Sequence, residues 1–231
     1  MTVLDVGCGS GAITRDIARI VDSGKVIGLD INERLLEEGN AYISENPNLS
    51  FVEGDIYGLG WQDEFDVVTA ARVLQWLDHP EVATRKLIQC TKPGGTVVVL
   101  DYNHEMAAWR PELPVSMRSF YEAFLRWRAD ACMNNRLADD LERIMRGAGL
   151  KDVRVEVSDE VSNKGDADFE ERVRIWQAVA DARGPQLVRD GYVSEQLRAQ
   201  ASADYGDWMS NTAEYQRLYL RTAIGAKPTA S

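Results

Sequence analysis

Two kinds of segment alternate along the first hundred residues. Short β-branched runs read as strands: Thr2 to Val6, Lys25 to Leu29, Leu49 to Val52, Phe65 to Thr69 and Thr96 to Leu100. Between them the apolar period lengthens. Ile13, Ile17, Ile20 and Val21 fall on one face of a helix, which should be the face turned to the core. Pro80 suits a helix start, and Lys92-Pro93-Gly94-Gly95 is a stop. Val97 to Leu100 is apolar at every position, as strands covered on both faces are. Strand, helix, strand repeated in this way predicts a parallel sheet with right-handed crossovers.

The second half changes character. Met117, Phe120, Tyr121 and Phe124 form a helical stripe within residues 103–135, which predicts a helical insertion there. A further helix covers 137–147 (Leu137, Leu141, Ile144, Met145) and is closed by Gly147 or Gly149. Asp152 to Ser158 then alternates strictly, with Val153, Val155 and Val157 on one face. Helical stretches follow within 159–214, and a last alternating run holds Leu218, Leu220, Thr222 and Ile224. The two alternating runs predict an antiparallel pair at a sheet edge, and 227–231 reads as a frayed tail. The domain reading is 1–102 and 136–158 with 215–231 as core, and 103–135 and 159–214 as helical insertions.

Composition narrows the class. The chain has 231 residues, enough for a core without disulfides or metals. Its three cysteines are scattered, which points to a reducing, cytoplasmic setting. No cluster has metal-ligand spacing, no signal peptide opens the chain, and no apolar run is long enough to cross a membrane. With 26 basic against 37 acidic residues the formal charge is −11, which argues against nucleic acid and anionic membranes as partners.

The sharpest chemical signal is Asp5-Val6-Gly7-Cys8-Gly9-Ser10-Gly11-Ala12 at the first strand-to-helix turn. Glycines there allow close backbone approach to a ligand in front of a helix N-terminus. Asp30 stands at the end of the second strand, where a carboxylate can accept from ribose hydroxyls. Asp55, in Gly54-Asp55-Ile56 after the third strand, can accept from an adenine amino group, with Ile31 and Ile56 as apolar walls for the ring. Each acid alone could be a solvated loop residue or a helix cap. Three acids at successive strand ends share one crevice, where open α/β sheets bind ligands.

In these residues the chain resembles the class I S-adenosylmethionine-dependent methyltransferases, of the small-molecule type that includes the ubiquinone/menaquinone enzymes. The matching pieces are Asp5 to Gly11, Gly28-Leu29-Asp30, Gly54-Asp55-Ile56, Phe65-Asp66-Val67-Val68 and Lys92-Pro93-Gly94-Gly95-Thr96. The resemblance implies a Rossmann-like α/β fold: a mostly parallel seven-stranded sheet, helices on both faces, an antiparallel last strand, and here helical cap insertions. It implies S-adenosyl-L-methionine as cofactor and S-adenosyl-L-homocysteine as product. Asp5 would support the loop, while Gly7, Cys8, Gly9 and Gly11 line the methionine portion. Asp30 would hold the ribose and Ile31 pack on adenine. Gly54, Asp55 and Ile56 would read the adenine edge, and Arg72 and Val73 flank the sulfonium. Family members carry helices ahead of the first strand. Here that strand begins at residue 2, so the missing cover is expected from a longer chain or another subunit.

The acceptor side is thinner. His104, three residues past the fifth strand, is expected in a loop at the crevice mouth as a general base or substrate contact, or else as a plain polar loop residue. His79 reads as a cap or surface residue. Trp76, Trp109 and Tyr121 are expected to line an acceptor pocket under the cap. Arg110, Arg118, Arg126 and Arg128 read as solvated helix faces. The expected activity is methyl transfer to a small molecule, with a homodimer as one possible assembly. A non-catalytic S-adenosylmethionine-binding protein is the alternative. A nicotinamide-dependent oxidoreductase would share the glycine turn (Gly7-x-Gly9-x-x-Ala12) and Asp30 but leaves Asp55 and the Pro-Gly-Gly turn unused.

Overall fold

A computed structural model describes residues 1–21 and 23–229. The chain divides into two compact units. The first holds 1–101, 137–158 and 221–231, and the second holds 102–136 and 159–220.

In the first unit the parallel strands are β1 (Thr2–Val6), β2 (Lys25–Asp30), β3 (Leu49–Glu53), β4 (Phe65–Ala71) and the opening half of β5 (Thr91–Arg110). Their helices are α1 (Ala12–Ile20), α2 (Glu33–Gly39) and α3 (Pro80–Cys90), the last with Pro80 in its first turn, where its missing N–H costs nothing. The unit is completed by a helix over Leu137–Gly147, a strand β6 (Lys151–Val157), and the end of a strand over Tyr215–Ala226 that pairs with β6 antiparallel. That last strand is β8, since a short strand β7 (Glu160–Asn163) precedes it and pairs with its beginning. The sheet order is β3-β2-β1-β4-β5-β8-β6, with β7 beside β8. It is mostly parallel, as expected, with β7 as an eighth strand where the sequence predicts only helix.

The core of this unit gathers Leu4, Val6, Val68, Val97 and Val99 with Leu141 and Met145 of the 137–147 helix. Each such burial contributes about 1.5–3 kcal/mol. Val98 and Leu100 are half-buried, so β5 is fully covered on one face, not on both. Helix α1 departs from its expected orientation. It buries Thr14 and Ala18, with Val21 just beyond its end, while Ile13 and Ile20 are 46% and 82% exposed. Small side chains bring the helix close to the sheet, and the Thr14 hydroxyl has a partner there, as shown below. The expected tail is anchored at its start: Lys227 pairs with Gly95 and Gly94 through its backbone, and its Nζ donates to Asp63 Oδ1 at 2.6 Å. Ala230 and Ser231 lie outside the described residues.

In the second unit β5 continues as strand to Arg110, where a helical segment from residue 103 was the expectation. The helices are α4 (Val115–Asp130), α6 (Phe169–Val173), α7 (Ile175–Ala182), α8 (Gly184–Arg189) and α9 (Glu195–Asn211), the helix over Leu137–Gly147 being α5. Helix α9 packs on α4 and α7. The predicted stripe Met117, Phe120, Tyr121 and Phe124 is buried. No helix among the described residues is long and apolar enough to cross a membrane.

Candidate functional site

Backbone pairing continues past the ends of the first three strands and brings the acids together. The Gly7 and Cys8 N–H groups both donate to Leu29 O, at 2.6 and 3.0 Å, and Gly54 N–H donates to Asp30 O at 3.0 Å. Asp5, Asp30 and Asp55 therefore lie at adjacent carboxyl ends of β1, β2 and β3.

The loop between β1 and α1 turns through three left-handed residues, Gly7 (φ 70°), Gly9 (φ 57°) and Gly11 (φ 77°). Two of them are also closely packed. A side chain at Gly7 would meet the Val73 methyls, and one at Gly11 would meet the Phe51 ring. Gly9 differs: a Cβ there would meet nothing within 4 Å. The loop presents its backbone to open space at that point. Asp30 fixes it from below, with Oδ2 accepting the Gly9 N–H at 2.8 Å and Oδ1 accepting the Asn32 N–H at 2.9 Å. Each carboxylate oxygen keeps a further lone pair for a ligand hydroxyl.

Asp5 is 2% exposed. Its Oδ2 accepts the Thr14 hydroxyl at 2.6 Å, which ties the first turn of α1 to the end of β1. Burial raises its carboxyl to about 6. The Thr14 hydrogen bond opposes that rise and the negative Asp30 adds to it. Burial, with Asp5 and Asp30 nearby, pushes the Cys8 thiol up to about 12, so it stays protonated and unreactive. Asp55 accepts the Tyr57 N–H at 2.9 Å, capping a short 3-10 turn. A cavity of about 220 Å³ opens beside Gly54 and Asp55, lined also by Leu29, Val52, Leu59 and Trp61.

Some expected residues are placed differently. Ile31 is 68% exposed, free to cover a ring, but the Ile56 side chain is packed into the core and cannot form the opposite wall. Arg72 takes a left-handed backbone (φ 63°) with its N–H on Leu100 O, and Trp76 is half-buried in the turn that follows. His104 is a strand residue, not a loop residue. It is enclosed by Tyr102, stacked at 5.1 Å, and by Phe124 and Trp176 edge-on. Burial, with the Arg128 charge, holds its imidazole well below the usual histidine range, hence neutral and weakly basic. Trp109 donates to Gln216 Oε1 at 3.1 Å and meets Tyr121 edge-on, and Tyr121 donates to His104 O. Arg110, Arg118 and Arg126 are solvated, but Arg128 is fully buried with Nε on Asn135 Oδ1, where a solvated face was expected. A larger cavity in the second unit, about 540 Å³, holds none of the expected residues.

Three contributors escape the motifs. Thr14 looks like one more residue of an amphipathic helix. Phe51 fills the space left by Gly11, Gly28 and Gly39 together, and its only sequence signal is the glycines at a strand centre and a helix end. Asp101, fully buried, accepts the Gln75 N–H at 3.1 Å and so fixes the segment after β4.

A mostly parallel sheet with a glycine turn and carboxylates at three adjacent strand ends defines an open α/β fold with a crevice at the carboxyl ends of its strands. Residues 4–99 match the family model for the methyltransferase domain. The chain is 34% identical over 124 residues to demethylmenaquinone methyltransferase of Lactococcus lactis subsp. lactis, covering 52% of this chain and 47% of that protein. It is 37% identical over 110 residues to trans-aconitate 2-methyltransferase of Deinococcus radiodurans, covering 47% and 41%. The chain thus spans less than half the length of these curated relatives. Among solved structures it is similar to the YcgJ protein of Bacillus subtilis (TM-score 0.63, 17% identity, 99% of this chain and 92% of that one). It is also similar to Haemonchus contortus phosphoethanolamine N-methyltransferase 2 in complex with phosphomonomethylethanolamine and S-adenosylhomocysteine (TM-score 0.62, 15% identity, 99% and 49%). At these identities the structural likeness is one of fold.

Proposed function

We propose that the protein transfers a methyl group from S-adenosylmethionine to a small-molecule acceptor. The observation that carries this reading is the open space before Gly9, whose N–H is held by Asp30 at the end of β2. When bound, S-adenosylmethionine supplies a methyl group on a sulfonium, already activated for in-line displacement.

The chain's own residues then have positioning roles. Gly7, Cys8, Gly9 and Gly11 let the backbone lie against the methionine portion, and Asp5 keeps the loop in place. Asp30 accepts from the ribose, and Asp55 accepts from the adenine edge while Ile31 covers the ring. Ile56 contributes through its backbone, since its side chain belongs to the core. Val73, packed on Gly7, and Arg72 border the methyl end. On the acceptor side we assign aromatic contact to Trp76. A positioned, activated donor needs no base when the acceptor atom is already nucleophilic, and His104 is given a packing role. The same reading places the enzyme in the cytoplasm as a homodimer.

The test is transfer of labelled methyl to a panel of small carboxylates, quinols and amines. Label should pass to at least one of them, with S-adenosylhomocysteine formed in equal amount. Cofactor binding with no transfer to any class would favour a binding protein without catalysis.

A further inference from the structure

Strand β6 ends the sheet. One side pairs with β8, and the other side carries no strand among the described residues. A bare strand edge is a template for a second chain, and proteins usually blunt it with proline or like charges. One irregularity lies between Lys151 and Arg154; beyond it the strand holds no proline, and its charges are of both signs. Val155 and Val157 share one face and are 38% and 73% exposed. Arg154 and Glu156 share the other face as an ion pair at 3.1 Å, both more than half exposed.

We propose that β6 is the surface on which two copies of this chain pair, edge to edge and antiparallel, about a two-fold axis at Val155. This rests on the homodimer of the reading above and gives it a contact. The strand is self-complementary about that axis. Around Val155, Arg154 of one copy lies opposite Glu156 of the other, and the reverse pair repeats on the far side of the axis. Val155 lies opposite itself, and Val157 opposite Val153, which is buried beside the irregularity in the strand. Directly opposed unlike charges and β-branched pairs are the favourable cross-strand combinations. A two-fold contact must present the same patch twice, and this strand does so in both charge and apolar pattern. The other end of the sheet does not: centred on Phe51, β3 would set Leu49 against Glu53, and Pro47 precedes it.

Sedimentation velocity of the full chain over a range of concentrations tests this, with circular dichroism on each variant as the folding control. The wild type should dimerise. Glu156→Arg sets arginine against arginine twice per dimer, and Arg154→Glu sets acid against acid. Each should weaken the dimer at least about tenfold. The exchange Arg154→Glu with Glu156→Arg should restore it. Should either single variant fail to fold, Val157→Asp at the exposed end of the strand should weaken the dimer in its place. A wild type monomeric throughout would remove both the homodimer and this surface. A dimer indifferent to the single reversals would remove the surface and leave the homodimer standing. Weakening that the exchange does not repair would overturn the antiparallel register.

Discussion

At the scale of single residues, Asp30 and Asp5 serve the crevice in different ways. Asp30 uses both oxygens on backbone N–H groups, one of them on the loop itself. Asp30→Ala should therefore weaken S-adenosylhomocysteine binding by about 1.5–3 kcal/mol, the worth of hydrogen bonds to a charged group. Unchanged affinity in calorimetry would remove it from the site. Asp5 is buried with a carboxyl near 6, above its ordinary 3.8. Between these values the folded chain holds a proton that the unfolded chain releases. Its stabilising contribution is complete below pH 3.8 and is lost as the pH rises through about 6. Asp5→Asn keeps an acceptor for Thr14 and removes the charge. It should raise the melting temperature at pH 8, by up to about 3 kcal/mol in stability, and leave it little changed at pH 4. Equal effects at both values would mean that the Asp5 carboxyl is not raised. The glycines and the three acids are legible in the sequence because covalent order alone puts them at strand-to-helix turns. Thr14 is not, because its value depends on which face of α1 turns inward.

At the scale of elements, α1 and β3 show why periodicity misleads near the crevice. The isoleucines of α1 form a good apolar stripe, yet the helix lies on its small residues, close enough for Thr14 to reach Asp5. The Phe51 ring of β3 takes the space that Gly11, Gly28 and Gly39 leave, and so joins the loop, β2 and α2. A Cβ at Gly28 would stand 2.6 Å from that ring and 2.9 Å from Cys8 Sγ. Gly28→Ala should cost about 1–3 kcal/mol by overpacking. Phe51→Leu in the same chain should recover part of it, with a coupling of about 0.5 kcal/mol or more by urea unfolding. Strict additivity would show that the ring and the glycine do not share the space. No one-dimensional pattern reports such a contact, since it needs the β2–β3 register and the position of α2 at once. His104 is a related case: read as a loop residue because the apolar run of the fifth strand ends at Leu100, it is in fact part of a strand that runs on to Arg110.

At the scale of the whole molecule, the order of elements in residues 1–101 is enough to foretell a parallel sheet with its ligand crevice. Each strand there is bounded by a turn signal, and the crossovers after β1, β2 and β4 carry helices, while that after β3 has only a short 3-10 turn. The second unit is less legible. Its stripe of aromatic residues announces a packed helix, but its short strand β7 and the early part of β8 gain their meaning only by pairing with each other. The central claim is that the first unit holds the adenosyl cofactor in front of Gly9. Titration calorimetry of the full chain with S-adenosylhomocysteine and with NAD, repeated on Gly9→Val, tests it most directly. A branched side chain at that left-handed position would fill the open space before the loop. The account predicts one S-adenosylhomocysteine bound per chain, no NAD, and loss of binding in a variant that stays folded. Binding of NAD instead, or wild-type affinity in Gly9→Val, would contradict it.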